Sequence, residues 1–230
     1  LAYLFARASD TIADTKVVPR ERRRELLHRF RRQFEGGARG ADLADIRAAL
    51  AASQSLPAER VLLERLDECF AMYAALPPDD RRRIASLLDT ITRGQEGDLE
   101  RFPGENEREL AALETDAELD DYAFAVAGCV GEFWTRMCAA HLPALAGWDV
   151  EGAVALGIRF GKGLQLTNIL RDIPKDLRIG RCYIPSQRLA EAGLRPEDLL
   201  SPGASENFRP LYHDYLGTTL AHLAYGRRYT

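Results

Sequence analysis

The sequence predicts an all-α fold, a single helical domain over residues 1–230. Three observations predict it. Apolar residues recur at helical spacing, as Val61, Leu62, Leu66, Phe70 and Tyr73 do. No convincing run alternates apolar and polar residues as a half-buried strand requires. Pro19, Pro57 and Pro77-Pro78 stand where periodic segments begin, a favoured place for proline in a helix. With 46% hydrophobic residues, the chain can bury a sizeable core of packed helices.

The elements follow in order. Residues 1–15 form an apolar helix with two aspartates near its end. A second helix starts at Pro19 and runs to about residue 35, where Gly36-Gly37 breaks it. Residues 42–53 are short and Ala-rich, and 57–75 carry the periodic apolar set above. Asp79 or Asp80 caps a helix running to about residue 99, and Phe102-Pro103-Gly104 is a loop. Residues 116–142 and 149–171 read as long helices, the second ending near Pro174. The stretch 177–185 is irregular, and short helices at 186–192 and 196–200 precede a last one over 206–229.

Bulk properties exclude several functions. A net charge of −4 gives no reason to expect nucleic-acid binding. Cys69, Cys129, Cys138 and Cys182 form no CxxC pair, and the four histidines show no HxxxH spacing, which argues against zinc. Sparse thiols fit a reducing cytosol. No run approaches the roughly 18 apolar residues of a membrane span. The chain opens on Leu1, so a natural N-terminus further upstream is expected.

Two aspartate pairs carry the chemistry. Asp10 and Asp14, and Asp172 and Asp176, are each four residues apart, so each pair shares a helix face. Adjacent carboxylates repel unless a proton or cation lies between them. Such hard oxygen donors suit Mg²⁺, which keeps waters and takes phosphate oxygens as further ligands. Asp10 and Asp14 stand late in their helix, against its dipole. Gln165, Asn168, Asp172 and Asp176 make one polar stripe, with Leu164, Ile169 and Leu170 offered to the core. A third pair, Asp116 and Asp120, precedes an apolar helix and reads as N-terminal capping. Phe133 and Trp134 read as core aromatics.

These segments together resemble the squalene/phytoene synthase family of head-to-head prenyltransferases. The stretch from Tyr3 through Arg7 to Asp10 and Asp14 is similar to that family's first aspartate motif. The stretch from Tyr122 through Val126-Ala127-Gly128 to Val130-Gly131 resembles its YxxxVAGxVG segment. Gln165-Leu166-Thr167-Asn168-Ile169-Leu170-Arg171-Asp172, followed by Asp176, Gly180-Arg181, Tyr183 and Pro185, resembles its second motif. The three occur in the family's order, and the likeness covers most of the chain.

The resemblance implies an isoprenoid-synthase-type helical bundle around a central cavity. It implies that Asp10, Asp14, Asp172 and Asp176 hold Mg²⁺ with Asn168 and Gln165 assisting, that Tyr3, Arg7, Arg181 and Tyr183 contact diphosphate, and that Tyr122 is the catalytic tyrosine. The implied reaction joins two farnesyl diphosphates through presqualene diphosphate to squalene, with NADPH as reductant. The close alternative is phytoene or dehydrosqualene synthesis, including use of geranylgeranyl diphosphate. The alternatives of another class are an all-α nucleotide pyrophosphohydrolase and a non-catalytic helical scaffold. Gly128, Gly131, Gly157 and Gly161 would either leave room for prenyl tails or let helices pack closely. Ala125 stands where the family often has an aromatic residue, which implies a wider pocket. The family's Ser/Phe stretch before the first motif has no counterpart here, and the sequence ends within a late helix, so missing segments at both ends are expected. An insoluble hydrocarbon product implies a cytoplasmic protein with contact at the membrane surface.

Overall fold

The computed structural model describes residues 1–36 and 39–229; Gly37, part of the expected break, lies outside them. The chain divides into two compact units, Leu1–Leu99 and the part from Glu100 onward.

The first unit is built from α1 (Ala2–Asp14), α2 (Arg20–Arg32), α3 (Gly40–Leu50), α4 (Pro57–Glu64), α5 (Leu66–Ala74) and most of α6 (Pro78–Arg101). The helix expected over 57–75 is two helices. Arg65 takes φ −111° and ψ 20°, outside helical geometry, and the chain bends there. The bend lets both Leu63 and Leu66 point fully into the core. An aromatic cluster then fixes α1. Phe5 lies 4.7 Å from Phe70 and meets Phe34 edge-on at 5.0 Å. Phe30 and Tyr73 complete the cluster with edge-to-face contacts, the geometry ring quadrupoles favour. Ser9 and Thr11 of α1 are buried, as Phe5 is, while Tyr3 and Asp14 are exposed.

The second unit is organised around α9 (Val150–Arg178), which packs against α11 (Ser205–Tyr229) and α8 (Cys129–His141). Pro174 does not end α9, as expected from sequence; the helix continues one more turn. The proline ring sits on the exposed side, while Ile169, Leu170 and Leu177 anchor the other side in the core. Leu164, expected in the core, is 48% exposed, and Leu166 takes the buried place. Trp134, expected in the core, is 61% exposed on α8.

The helix expected over 116–142 is continuous but not uniform. After α7 (Asp116–Ala123), the turn Phe124–Gly128 is π-helical, and α8 follows directly. The wide turn adjoins a close crossing with α9. A Cβ on Gly131 would lie 2.0 Å from the Gly157 carbonyl oxygen, and one on Gly161 2.4 Å from that of Ala127. These glycines let the two backbones touch.

Two short strands were not expected. β1 (Ala111–Ala112) pairs in parallel with β2 (Arg181–Cys182), Ala111 opposite Arg181. Gly180 makes the turn into β2 with φ +83°, a region that favours glycine. The bond from Leu113 N–H to the Cys182 carbonyl (3.0 Å) holds the stretch after α9 in place. A short helix α10 (Ser186–Glu191) follows.

Candidate active site

In the first unit, Tyr3, Arg7, Asp10 and Asp14 run along one face of α1 at spacings of four, three and four. Tyr3 is 76% exposed, and Asp14 is also exposed. Asp10 is partly buried against α6, where its Oδ1 accepts a hydrogen bond from Gln95 Nε2 at 2.6 Å. Burial, and then the charge of Asp14, push the Asp10 carboxyl up to about 6, against the opposing pull of Arg7 and of the Gln95 bond. The Arg7 guanidinium is hydrogen-bonded to Glu59 of α4, which raises its proton affinity. A cavity of about 280 Å³ opens here, lined by Arg7, Asp10, Asp14, Lys16, Gln54 and Glu59.

In the second unit, the continuity of α9 keeps Gln165, Asn168, Asp172 and Asp176 on one stripe. Asn168 Nδ2 is 3.5 Å from Gln165 Oε1, a long contact between neighbouring amides. Arg171 forks onto Asp172 with bonds of 2.8 and 2.6 Å and holds that carboxyl below the usual range. Arg181 sits on β2, half-buried.

Tyr122 occupies the last turn of α7, immediately before the π-helical turn. Its ring stacks on Tyr183, with centroids 4.6 Å apart and planes 22° from parallel. Tyr183 is only 7% exposed, and Phe102 meets its ring edge-on at 5.1 Å. The structure therefore joins two sequence-predicted residues in one aromatic stack and places Tyr183 in the hydrophobic core.

Asp116 and Asp120 have structural partners. Thr115, not an aspartate, caps α7 by accepting from Glu118 N–H. Asp116 accepts the Tyr215 hydroxyl at 2.6 Å, and Asp120 pairs with Lys162 at 2.6 Å. These contacts tie α7 to α11 and to α9.

Sequence reasoning missed Gln95 and Glu59 as neighbours of the first pair. Gln95 left a readable signal. With Thr92 and Asp98 it is a polar residue on the buried face of α6, among Leu88, Ile91 and Leu99, and buried polar side chains require partners. Glu59 left none, because it is an ordinary first-turn acid of α4.

The donor set fits Mg²⁺. Among the described residues no three His, Cys, Asp or Glu side chains form a ready-made metal cage. Two carboxylates side by side, one of them partly buried beside a neutral amide, leave a net negative charge that a cation would relieve. Mg²⁺ is commonly held by one or two carboxylates, with water and phosphate oxygens as its other ligands.

A family model described as squalene/phytoene synthase matches residues 1–230. The bifunctional lycopene cyclase/phytoene synthase of Arthroderma gypseum is 37% identical over 100 residues, covering 43% of this chain and 17% of that protein. The presqualene diphosphate synthase of Sinorhizobium fredii is 33% identical over 134 residues, covering 57% of this chain and 45% of that protein. The matches thus span less than half the length of these relatives. The solved structure of TcSQS with the ligand BPH1237 superposes with a TM-score of 0.74 at 21% identity, covering 99% of this chain and 61% of that one, a likeness of fold. The chain belongs to the squalene/phytoene synthase family.

Proposed function

We propose that this protein is a Mg²⁺-dependent prenyltransferase that condenses two farnesyl diphosphates head to head, through presqualene diphosphate, to squalene. The observation that carries the reading is the Asp10–Asp14 pair, with its partly buried carboxylate, polar cavity and neutral amide partner. Asp172 and Asp176, with Asn168 and Gln165, supply a second oxygen-rich stripe. When bound, Mg²⁺ would neutralise the departing diphosphate and so lower the barrier to its release.

The side chains divide the remaining tasks. Asp10, Asp14, Asp172 and Asp176 are the ion-holding groups. Arg7, Tyr3 and Arg181 bind diphosphate oxygens, for which a guanidinium fork is well matched. Arg7 arrives already oriented by Glu59. Tyr122 presents its ring and hydroxyl to the reacting allylic carbons, where an aromatic face stabilises positive charge. Tyr183, buried beneath that ring, supports it. An apolar cavity must exclude water from the carbocation. Squalene as the final product would require a hydride donor such as NADPH, which would supply the reducing equivalents when bound.

Two relatives point to other end products. The names presqualene diphosphate synthase and phytoene synthase favour readings in which this chain stops at the cyclopropyl intermediate or uses geranylgeranyl diphosphate. One experiment separates them: the protein is incubated with Mg²⁺ and either prenyl diphosphate, with and without NADPH, and the products are extracted. Squalene formed only with NADPH supports the proposal. Turnover of geranylgeranyl diphosphate alone rejects it. Among the described residues no helix is long and apolar enough to cross a membrane. Release of an insoluble product supports contact at the membrane surface, which liposome co-sedimentation tests.

A further inference from the structure

We propose that Gln95 is a positioning residue for the Asp10 carboxylate, using a neutral hydrogen bond to present that carboxylate to a divalent cation; the inference rests on the metal-binding role given above to Asp10 and Asp14.

The geometry is specific. Gln95 is 9% exposed on the inward face of α6. Its Nε2 donates to Asp10 Oδ1 at 2.6 Å, while its own Oε1 is buried with no hydrogen-bond partner. A buried amide with one unsatisfied end is costly. Its donating end faces a carboxylate on a different helix, so the amide is oriented toward Asp10. Asp10 also lines the polar cavity. The bond to Oδ1 therefore restrains the carboxylate's rotation at a position open to that cavity.

Residue type matters as much as position. A cation at residue 95 would cancel the charge that attracts Mg²⁺. A third carboxylate would repel the pair, and an apolar side chain would leave Asp10 free to rotate. A neutral donor restrains the carboxylate without discharging it. The guanidinium of Arg7 is bonded to Glu59, whereas the Gln95 amide is bonded to Asp10 itself.

Two substitutions separate positioning from packing. Gln95→Met keeps length and volume but removes the donor. Gln95→Asn keeps an amide but shortens its reach. Binding is read as free Mn²⁺ by electron spin resonance in the presence of inorganic pyrophosphate, with Asp10→Asn as the control and thermal melting as the check on folding. The positioning role predicts that both variants stay folded and both weaken Mn²⁺ binding about tenfold, the scale of one hydrogen bond to a charged group. It also predicts that the Mg²⁺ concentration for half-maximal activity rises in both while the KM for farnesyl diphosphate, measured at saturating Mg²⁺, does not. Normal Mn²⁺ binding by Gln95→Met, with or without a defect in Gln95→Asn, leaves only a packing role and overturns the inference. Wild-type protein that binds no Mn²⁺, or binds it as well as Asp10→Asn does, overturns the metal-binding reading itself and this inference with it.

Discussion

Tyr122 rests on Tyr183 across 4.6 Å, the two rings nearly parallel and Tyr183 wedged edge-on against Phe102. The stack joins the end of α7 to the stretch after α9, which the β1–β2 pair also holds. Tyr183→Phe keeps the stack and is expected to retain most activity. Tyr183→Leu removes it and should lower kcat at least tenfold, with a smaller change in KM for farnesyl diphosphate. Tyr122→Phe should lower kcat strongly while the far-ultraviolet circular dichroism stays unchanged. Steady-state kinetics of the three variants checks this.

Asp10 makes the folded protein less stable at neutral pH. Its carboxyl binds a proton more tightly in the fold, at about 6, than in the unfolded chain, at 3.8. The folded state therefore holds more protons across that interval, and this contribution to stability is lost as pH rises through it. Asp10→Asn should stabilise the protein by up to about 3 kcal/mol at pH 7.5 and do little at pH 3.5, while abolishing turnover. Urea unfolding at the two pH values measures the difference, and an equal effect at both would contradict it.

Gly131 touches the carbonyl of Gly157. Gly131→Ala must push α8 away from α9, at an expected cost of about 3 kcal/mol, the upper end for overpacking. Gly147→Ala, also in the second unit and with open space at its Cβ, isolates the other cost, that of a positive φ, and should lose only about 1 kcal/mol. Thermal denaturation of both proteins gives the comparison.

Tyr215 joins α11 to the start of α7 through Asp116. Burial pushes its phenol up, and the Asp116 carboxylate adds to the shift, so the hydroxyl stays a donor throughout the working range. Tyr215→Phe should cost about 1 kcal/mol through the lost bond, since the Asp116 carboxylate stays exposed to water and near Arg188. Asp116→Asn, which leaves an acceptor in place, should cost less. Chemical denaturation ranks the two.

Much of this molecule is written in local pattern. Helical spacing and Pro placement delimit most of the helices, since each depends on residues close in sequence. The four-residue spacing of Asp10 and Asp14, and of Asp172 and Asp176, determines that each pair shares a face once the helix forms. The motif order around Tyr122 and Gln165 to Tyr183 identifies the family. Other features depend on partners distant in sequence, and only tertiary structure decided them. Pro174 sits within a helix because Leu170 and Leu177 are anchored on its other side. Trp134 and Leu164 are exposed because helix neighbours, not hydrophobicity alone, select what is buried. Gln95 meets Asp10 across 85 residues of sequence, and Tyr183 reaches Tyr122 because a two-residue strand pair holds its loop. Periodicity reports which face a side chain shares, whereas the identity of the group it meets is set by packing between helices.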